Sequence, residues 1–334
     1  MSVRDLPWLN SVWQHLTELK KSEQLPHAII FNGLSGLGKF RLAEDFARAV
    51  LCLSPDEQGH ACGSCHGCAM FDAGSHPDLH RLTIEENKKS ISIEQVRSLI
   101  ESFQEKSHQG DYRVALIYPA DKMNHNSANA LLKTLEEPGQ NTLLMLVVDE
   151  LHRLPPTIRS RCLLQTIAPV SPQEGVAWLA EHGHSDESET LEALTQTGYA
   201  PIKALQYIEQ DLLFEQQKFY SELLAIADQK LDPVGVVSAS EAPLKTRMID
   251  WLYRLILDAL RAQQTGNFSN ATTDQKLLFE RIKAIPSMRL SAWLDEIIDA
   301  RKLFDSSSNI SPDLILENLL VRWIAISRVS IHTS

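Results

Sequence analysis

Short apolar runs alternate with helical patterns through the first half of the chain, the arrangement expected of a parallel sheet covered by helices. Ala28-Ile29-Ile30-Phe31 reads as a buried strand running into a glycine-rich stretch, Gly33 to Gly38. A helix follows, with Leu42, Phe46 and Val50 on one face. Ser92-Ile93-Glu94-Gln95 has the spacing of a capping box and opens a helix carrying Val96, Leu99, Ile100 and Phe103. Val114 to Tyr118 and Leu143 to Val148 are two further buried strands. Between them the pattern predicts a helix from Ser127 to Glu137, stopped by Pro138-Gly139. A short helix starts at about Thr157, with Pro156 near its first turn.

Around Pro169 the pattern changes. Gln173 to Glu181, Glu187 to Thr195 and a stretch from about Pro201 make a small, acidic helical unit that ends near residue 208. From Glu209 onward only helical periodicity appears: Leu244, Met248, Trp251, Leu252, Leu255 and Ile256 repeat at three-to-four spacing. Leu290, Trp293 and Ile297, with Leu303 or Phe304 beyond, repeat in the same way. Thr265 to Thr273 and Asp305 to Ser311 are polar connectors. The predicted fold is an α/β parallel-sheet domain over residues 1–168, a small helical domain over 169–208 and an all-α domain over 209–334.

Composition narrows the function. The chain of 334 residues is 43% hydrophobic and 22% charged, an ordinary globular balance. Its longest apolar run, Leu143 to Val148, cannot span a bilayer. The beginning, MSVRDLPWLNSVWQHL, carries an early acid and lacks the apolar stretch of a secretory signal, so a cytoplasmic protein is expected. The formal net charge is −11. That is not the basic body a self-sufficient DNA binder needs to neutralise phosphates, so DNA contact is expected only within an assembly.

Gly33-Leu34-Ser35-Gly36-Leu37-Gly38-Lys39-Phe40 lies between a strand and a helix, as a phosphate-binding P-loop must. Glycines permit the turn that aims backbone amides at phosphate, and Lys39 would supply a point charge. The position that normally holds a Mg²⁺-ligating hydroxyl is Phe40. The strand that in an ATPase ends in Asp, often followed by Glu, runs here into Tyr118-Pro119. Asp121, three residues beyond Tyr118, is poorly placed to return to the metal position. Hydrolysis is therefore not expected, while phosphate binding at Gly33, Gly36, Gly38 and Lys39 stays open.

Cys52, Cys62, Cys65 and Cys68 crowd together after the P-loop helix, with Gly59, Gly63 and Gly67 among them to turn the chain tightly. Four thiolates at this spacing suit a closed tetrahedral structural zinc site. A four-iron cluster usually takes its fourth cysteine downstream beside proline, and here the fourth lies upstream. His60 and His66 are possible substitute ligands, and Cys162 reads as a small core residue.

Three stretches resemble one family. Asn129-Ala130-Leu131-Leu132-Lys133-Thr134-Leu135-Glu136-Glu137-Pro138 is similar to the NALLKTLEEP signature of the bacterial DNA polymerase III clamp-loader subunits, which are AAA+ proteins. Ser160-Arg161-Cys162 matches their SRC motif, and the four-cysteine insertion resembles their zinc module. The resemblance covers essentially the whole chain. It implies an AAA+ core over 1–168 with the zinc module at about 52–68, a lid over 169–208 and a helical collar over 209–334. The losses at Phe40, Tyr118 and Pro119, with Pro201 where motor subunits carry a nucleotide-sensing arginine, resemble the family member that does not hydrolyse ATP.

The resemblance also implies a role for Arg161: projecting as an arginine finger towards ATP held by a neighbouring motor subunit. Arg159 is a lesser candidate for the same interface. Implied partners are the tau/gamma motor subunits and the delta subunit, with the sliding clamp and primed DNA reached through the assembly. Glu136 and Glu137, adjacent on a helix and pointing about 100° apart, do not make a paired-carboxylate site. A solvated or subunit-contacting helix end is expected there. Two alternatives remain open: an autonomous ATPase relying on Lys39, and a zinc-stabilised regulator that binds nucleic acid.

Overall fold

A computed structural model of the chain describes residues 1–86, 88–103, 112–265, 273–305 and 311–327. These residues divide into two compact units, 1–206 and 207–334. The first runs α1 (Asn10–Lys21), β1 (Ala28–Asn32), α2 (Lys39–Val50), α3 (His66–Asp72), β2 (Leu79–Leu82), α4 (Ile93–Ser102) and β3 (Arg113–Ile117). It continues through α5 (His125–Glu136), β4 (Thr142–Val148), α6 (Pro156–Arg159), β5 (Leu163–Thr166), α7 (Pro172–Glu181) and α8 (Glu187–Thr197) to α9 (Pro201–Glu209), whose last three residues belong to the second unit.

The five strands form one parallel sheet in the order β2-β3-β4-β1-β5. Strands covered on both faces should read as continuous apolar runs. Every residue of β3 and β4 is buried, as are the first four of β1, which is why these three elements stand out in the sequence. The edge strands β2 and β5 were not expected. Arg81 and Gln165 interrupt their apolar character, and both strands are half exposed, so neither leaves a run to read.

Helix ends follow their caps. The Ser92 box is formed: Gln95 N–H donates to Ser92 Oγ at 3.3 Å, and Ser92 N–H donates to Gln95 Oε1 at 3.0 Å. α5 begins two residues before the expected start because Asn124 is its cap, its Oδ1 accepting the Ser127 N–H at 2.9 Å. Between the sheet and these helices lies a core that includes Ile30, Ile117, Leu146, Val96, Leu131 and Leu135. Each such side chain contributes about 1.5–3 kcal/mol on leaving water.

The second unit is helical throughout its described residues: α10 (Leu212–Ala227), α11 (Pro233–Ala239), α12 (Ala242–Thr265), α13 (Thr273–Lys283), α14 (Ser287–Asp305) and α15 (Pro312–Ser327). The stripe expected on α12 is buried from Met248 to Ile256, with Leu244 half-buried, and Trp251 Nε1 donates to the Tyr207 hydroxyl at 3.2 Å. Trp293 and Trp323 stack at 5.3 Å between ring centroids. Most of both expected polar connectors, 266–272 and 306–310, lies outside the described residues. No helix among the described residues is long and apolar enough to cross a membrane.

Leu146 sits at the middle of the buried β4 with none of its side chain in water. Leu146→Ala is expected to cost about 2–5 kcal/mol of stability, read as a lower denaturant midpoint by far-UV circular dichroism.

Candidate functional site

The glycine-rich loop leaves the carboxyl end of β1 and enters α2. Gly36 and Gly38 have φ of 87° and 83°, the left-handed region that glycine enters without strain. A Cβ on Gly36 would come within 2.7 Å of the Lys203 amide nitrogen, so the start of α9 lies directly on the loop. Ile202 N–H donates to Gly36 O at 3.2 Å. Trp8 Nε1 also donates into the loop, to Leu37 O at 3.0 Å.

Lys39 is the first residue of α2 and only 4% exposed. Its Nζ donates to Asp149 Oδ1 at 2.6 Å and to Leu34 O at 2.8 Å. An ammonium so far out of water needs such partners. Asp149 was absent from the sequence-derived candidates, although the signal was there. It directly follows β4, whose Val148 lies opposite Asn32 of β1, so the two strands end side by side at the loop.

The corner where an ATPase holds magnesium is filled by rings. Phe40 and Tyr118 lie 4.9 Å apart between centroids at 37°. Burial, reinforced by Asp149 and Asp121, pushes the Tyr118 phenol above its usual pKa. Asp121 lies in the turn Ala120–Lys122, buried, with its Oδ1 accepting the Asp149 N–H at 3.5 Å. Burial raises its carboxyl pKa. Pro201 is the first residue of α9.

The four cysteines come together. Their Sγ atoms all lie within 4.8 Å of one another, with Cys52–Cys62 at 3.6 Å, Cys52–Cys65 at 3.8 Å and Cys62–Cys68 at 4.0 Å. A tetrahedral ion with sulfur ligands at about 2.3 Å has S···S edges of about 3.8 Å. The set therefore could hold a metal ion such as zinc. Backbone N–H groups already point at the sulfurs: Cys65 N–H donates to Cys62 Sγ at 3.3 Å, and Cys68 N–H to Cys65 Sγ at 3.4 Å. Hydrogen bonds from the Ser64 and Cys65 amides bring the Cys62 thiol down to about 6, whereas burial raises Cys68 to about 12.

His60 has another partner, its ring stacked on Trp13 at 4.2 Å and 13°. His66 begins α3 and likewise stands outside the four-sulfur group. Gly67 does not turn the chain, as the sequence suggested; it is helical, and a Cβ there would come within 2.7 Å of Leu51 O. The module is tied to α1 through Trp13 Nε1, which donates to Gln58 O at 3.1 Å, and Lys21 Nζ, which donates to Glu57 O at 2.7 Å.

Arg161 follows α6 and is partly exposed, its side chain at 36%. Its Nη2 meets Glu136 Oε1 at 2.7 Å, and its Nη1 donates to Thr157 O at 2.9 Å and Ser160 Oγ at 3.4 Å. Arg159 is exposed on the same short helix, and Cys162 is half-buried, its thiol pushed up to about 12 by burial.

The Lys39–Asp149 pair is unequal, since the lysine side chain is 3% exposed and the aspartate 32%. Asp149→Ala strands a buried cation, whereas Lys39→Met leaves a carboxylate that water can reach. Asp149→Ala is expected to destabilise by about 1–3 kcal/mol, measured by urea unfolding, and Lys39→Met by less.

Comparison with known proteins agrees along both units. Residues 8–171 match the family model described as DNA polymerase III, delta subunit, and residues 210–325 match its C-terminal counterpart. DNA polymerase III subunit delta′ of Pseudomonas aeruginosa is 31% identical over 323 residues, covering 96% of this chain and 97% of that one. The Escherichia coli protein of the same name is 30% identical over 321 residues, covering 96% and 95%. The delta′ subunit of Buchnera aphidicola subsp. Schizaphis graminum is 28% identical over 319 residues, covering 95% and 96%. With a parallel-sheet unit, a helical unit and near-complete alignment to these relatives, the chain belongs to the delta′ family of DNA polymerase III subunits.

Proposed function

We propose that this chain serves as the non-hydrolysing delta′ subunit of a bacterial clamp loader, working in the cytoplasm to place a sliding clamp on primed DNA. The observation that carries this reading is the contact between Phe40 and Tyr118. Two aromatic rings occupy the corner where magnesium would need a hydroxyl and a carboxylate, and neither ring offers an anionic ligand. The loop's lysine is meanwhile engaged by Asp149. ATP turnover belongs to neighbouring tau/gamma motor subunits, and this chain, with delta, completes the assembly as its stator.

Arg161 is the residue proposed to act in the neighbour's site. A planar guanidinium with several donors suits charge spread over a γ-phosphoryl group, and Arg161 is partly exposed just after a short helix. Residues 169–208 act as the lid and 209–334 as the collar in this reading, and Cys52, Cys62, Cys65 and Cys68 hold a structural zinc. All four positions of a tetrahedral ion are then filled, so the metal stabilises the fold and takes no part in chemistry.

Two outcomes test this. The isolated chain is expected to hydrolyse no ATP, with or without Lys39→Ala. In a reconstituted loader, Arg161→Ala is expected to slow turnover at one motor site by about 10³-fold or more, seen as one site missing from a single-turnover phosphate burst. An unchanged burst would remove the finger role. Elemental analysis should give about one zinc per chain, and a Cys62→Ser, Cys65→Ser double variant should lose it together with thermal stability.

A further inference from the structure

Arg161 is braced from two separate elements. Thr157 O and Ser160 Oγ hold Nη1 from the arginine's own turn, while Glu136, the last residue of α5, holds Nη2 at 2.7 Å. The first brace is local and follows from the backbone. The second joins two segments far apart in the chain, and it fixes where the guanidinium points.

Glu136 does not serve α5 itself. A carboxylate in the last turn of a helix faces the negative end of the dipole, where a cation would be favoured. The residue that follows, Glu137, leaves the helix at φ −125° and ψ 69°. The charge that makes Glu136 acceptable is the guanidinium beside it. A guanidinium carries five N–H donors, and three acceptors leave donors over for a phosphoryl group.

We propose that Glu136 is a positioning residue for Arg161. It holds the guanidinium in one place in the free chain, so that a long and flexible side chain is ordered before the neighbouring subunit docks. This rests on the finger reading above. Both side chains are reached by water, Arg161 at 36% and Glu136 at 51% exposure, so the pair is screened and its effect on rate is modest.

The test uses the reconstituted loader with Glu136→Gln, which keeps the shape and removes the charge, and with Glu136→Lys, which repels the guanidinium. Glu136→Gln is expected to lower the rate constant of ATP turnover at the affected site by about two- to fivefold, with KM for ATP unchanged. Glu136→Lys is expected to lower it further. In an Arg161→Ala background, neither substitution should change the rate again, whereas a role in folding or assembly would persist there.

Size-exclusion chromatography confirms that each variant enters the complex. A full rate with Glu136→Gln, or an equal loss in both backgrounds, overturns the positioning role while the finger role stands. A full rate with Arg161→Ala overturns both.

Discussion

A lysine ammonium with almost none of its surface in water requires a counter-charge, and Asp149 supplies one at 2.6 Å. The pair links the loop after β1 to the end of β4, two neighbouring inner strands of the sheet. Phosphate would be the other natural partner for such a lysine. With a carboxylate beside it the lysine is already neutralised, and the glycines serve the packing of the loop: Gly36 lets Lys203 approach, and Gly38 lets Leu6 approach. Lys39 and its glycines are thus useful to the fold whatever happens to nucleotide.

The residues around the loop share this economy. Leu6 and Trp8 pack or donate from the beginning of the chain, and Trp178 of α7 packs edge-on against Trp8 while its indole N–H donates to Asp5 O at 2.7 Å. A little further along, Trp13 and Lys21 carry the cysteine module, and Arg4 reaches Asp56 at 2.6 Å. One N-terminal stretch therefore braces the glycine-rich loop, the helices after the sheet and the cysteine module together.

What could be read from sequence followed from what is local. Leu143 to Val148 betrays a central strand because burial on both faces removes every polar residue, and Ser92 with Gln95 betrays a helix start because the cap is complete within four residues. The cysteines were legible for the same reason, since chelation needs close spacing. Leu79–Leu82 and Leu163–Thr166 escaped because an edge strand tolerates Arg81 and Gln165. The Lys39–Asp149 and Arg161–Glu136 pairings escaped for a different reason: Asp149 follows a legible strand and Glu136 ends a legible helix, but each finds its charged partner across the fold. Gly67 was misread as a turn because a glycine that admits a neighbouring carbonyl looks the same in sequence as one that bends the backbone.

The clasp of Ile202 on Gly36 has a consequence for how information moves. A ligand shifts a protein between shapes only by as much as it prefers one of them. Here the helices after the sheet are seated on the loop by backbone hydrogen bonding and by Trp178. A molecule that entered the loop would move those helices only by favouring an arrangement that gives up the Ile202–Gly36 hydrogen bond.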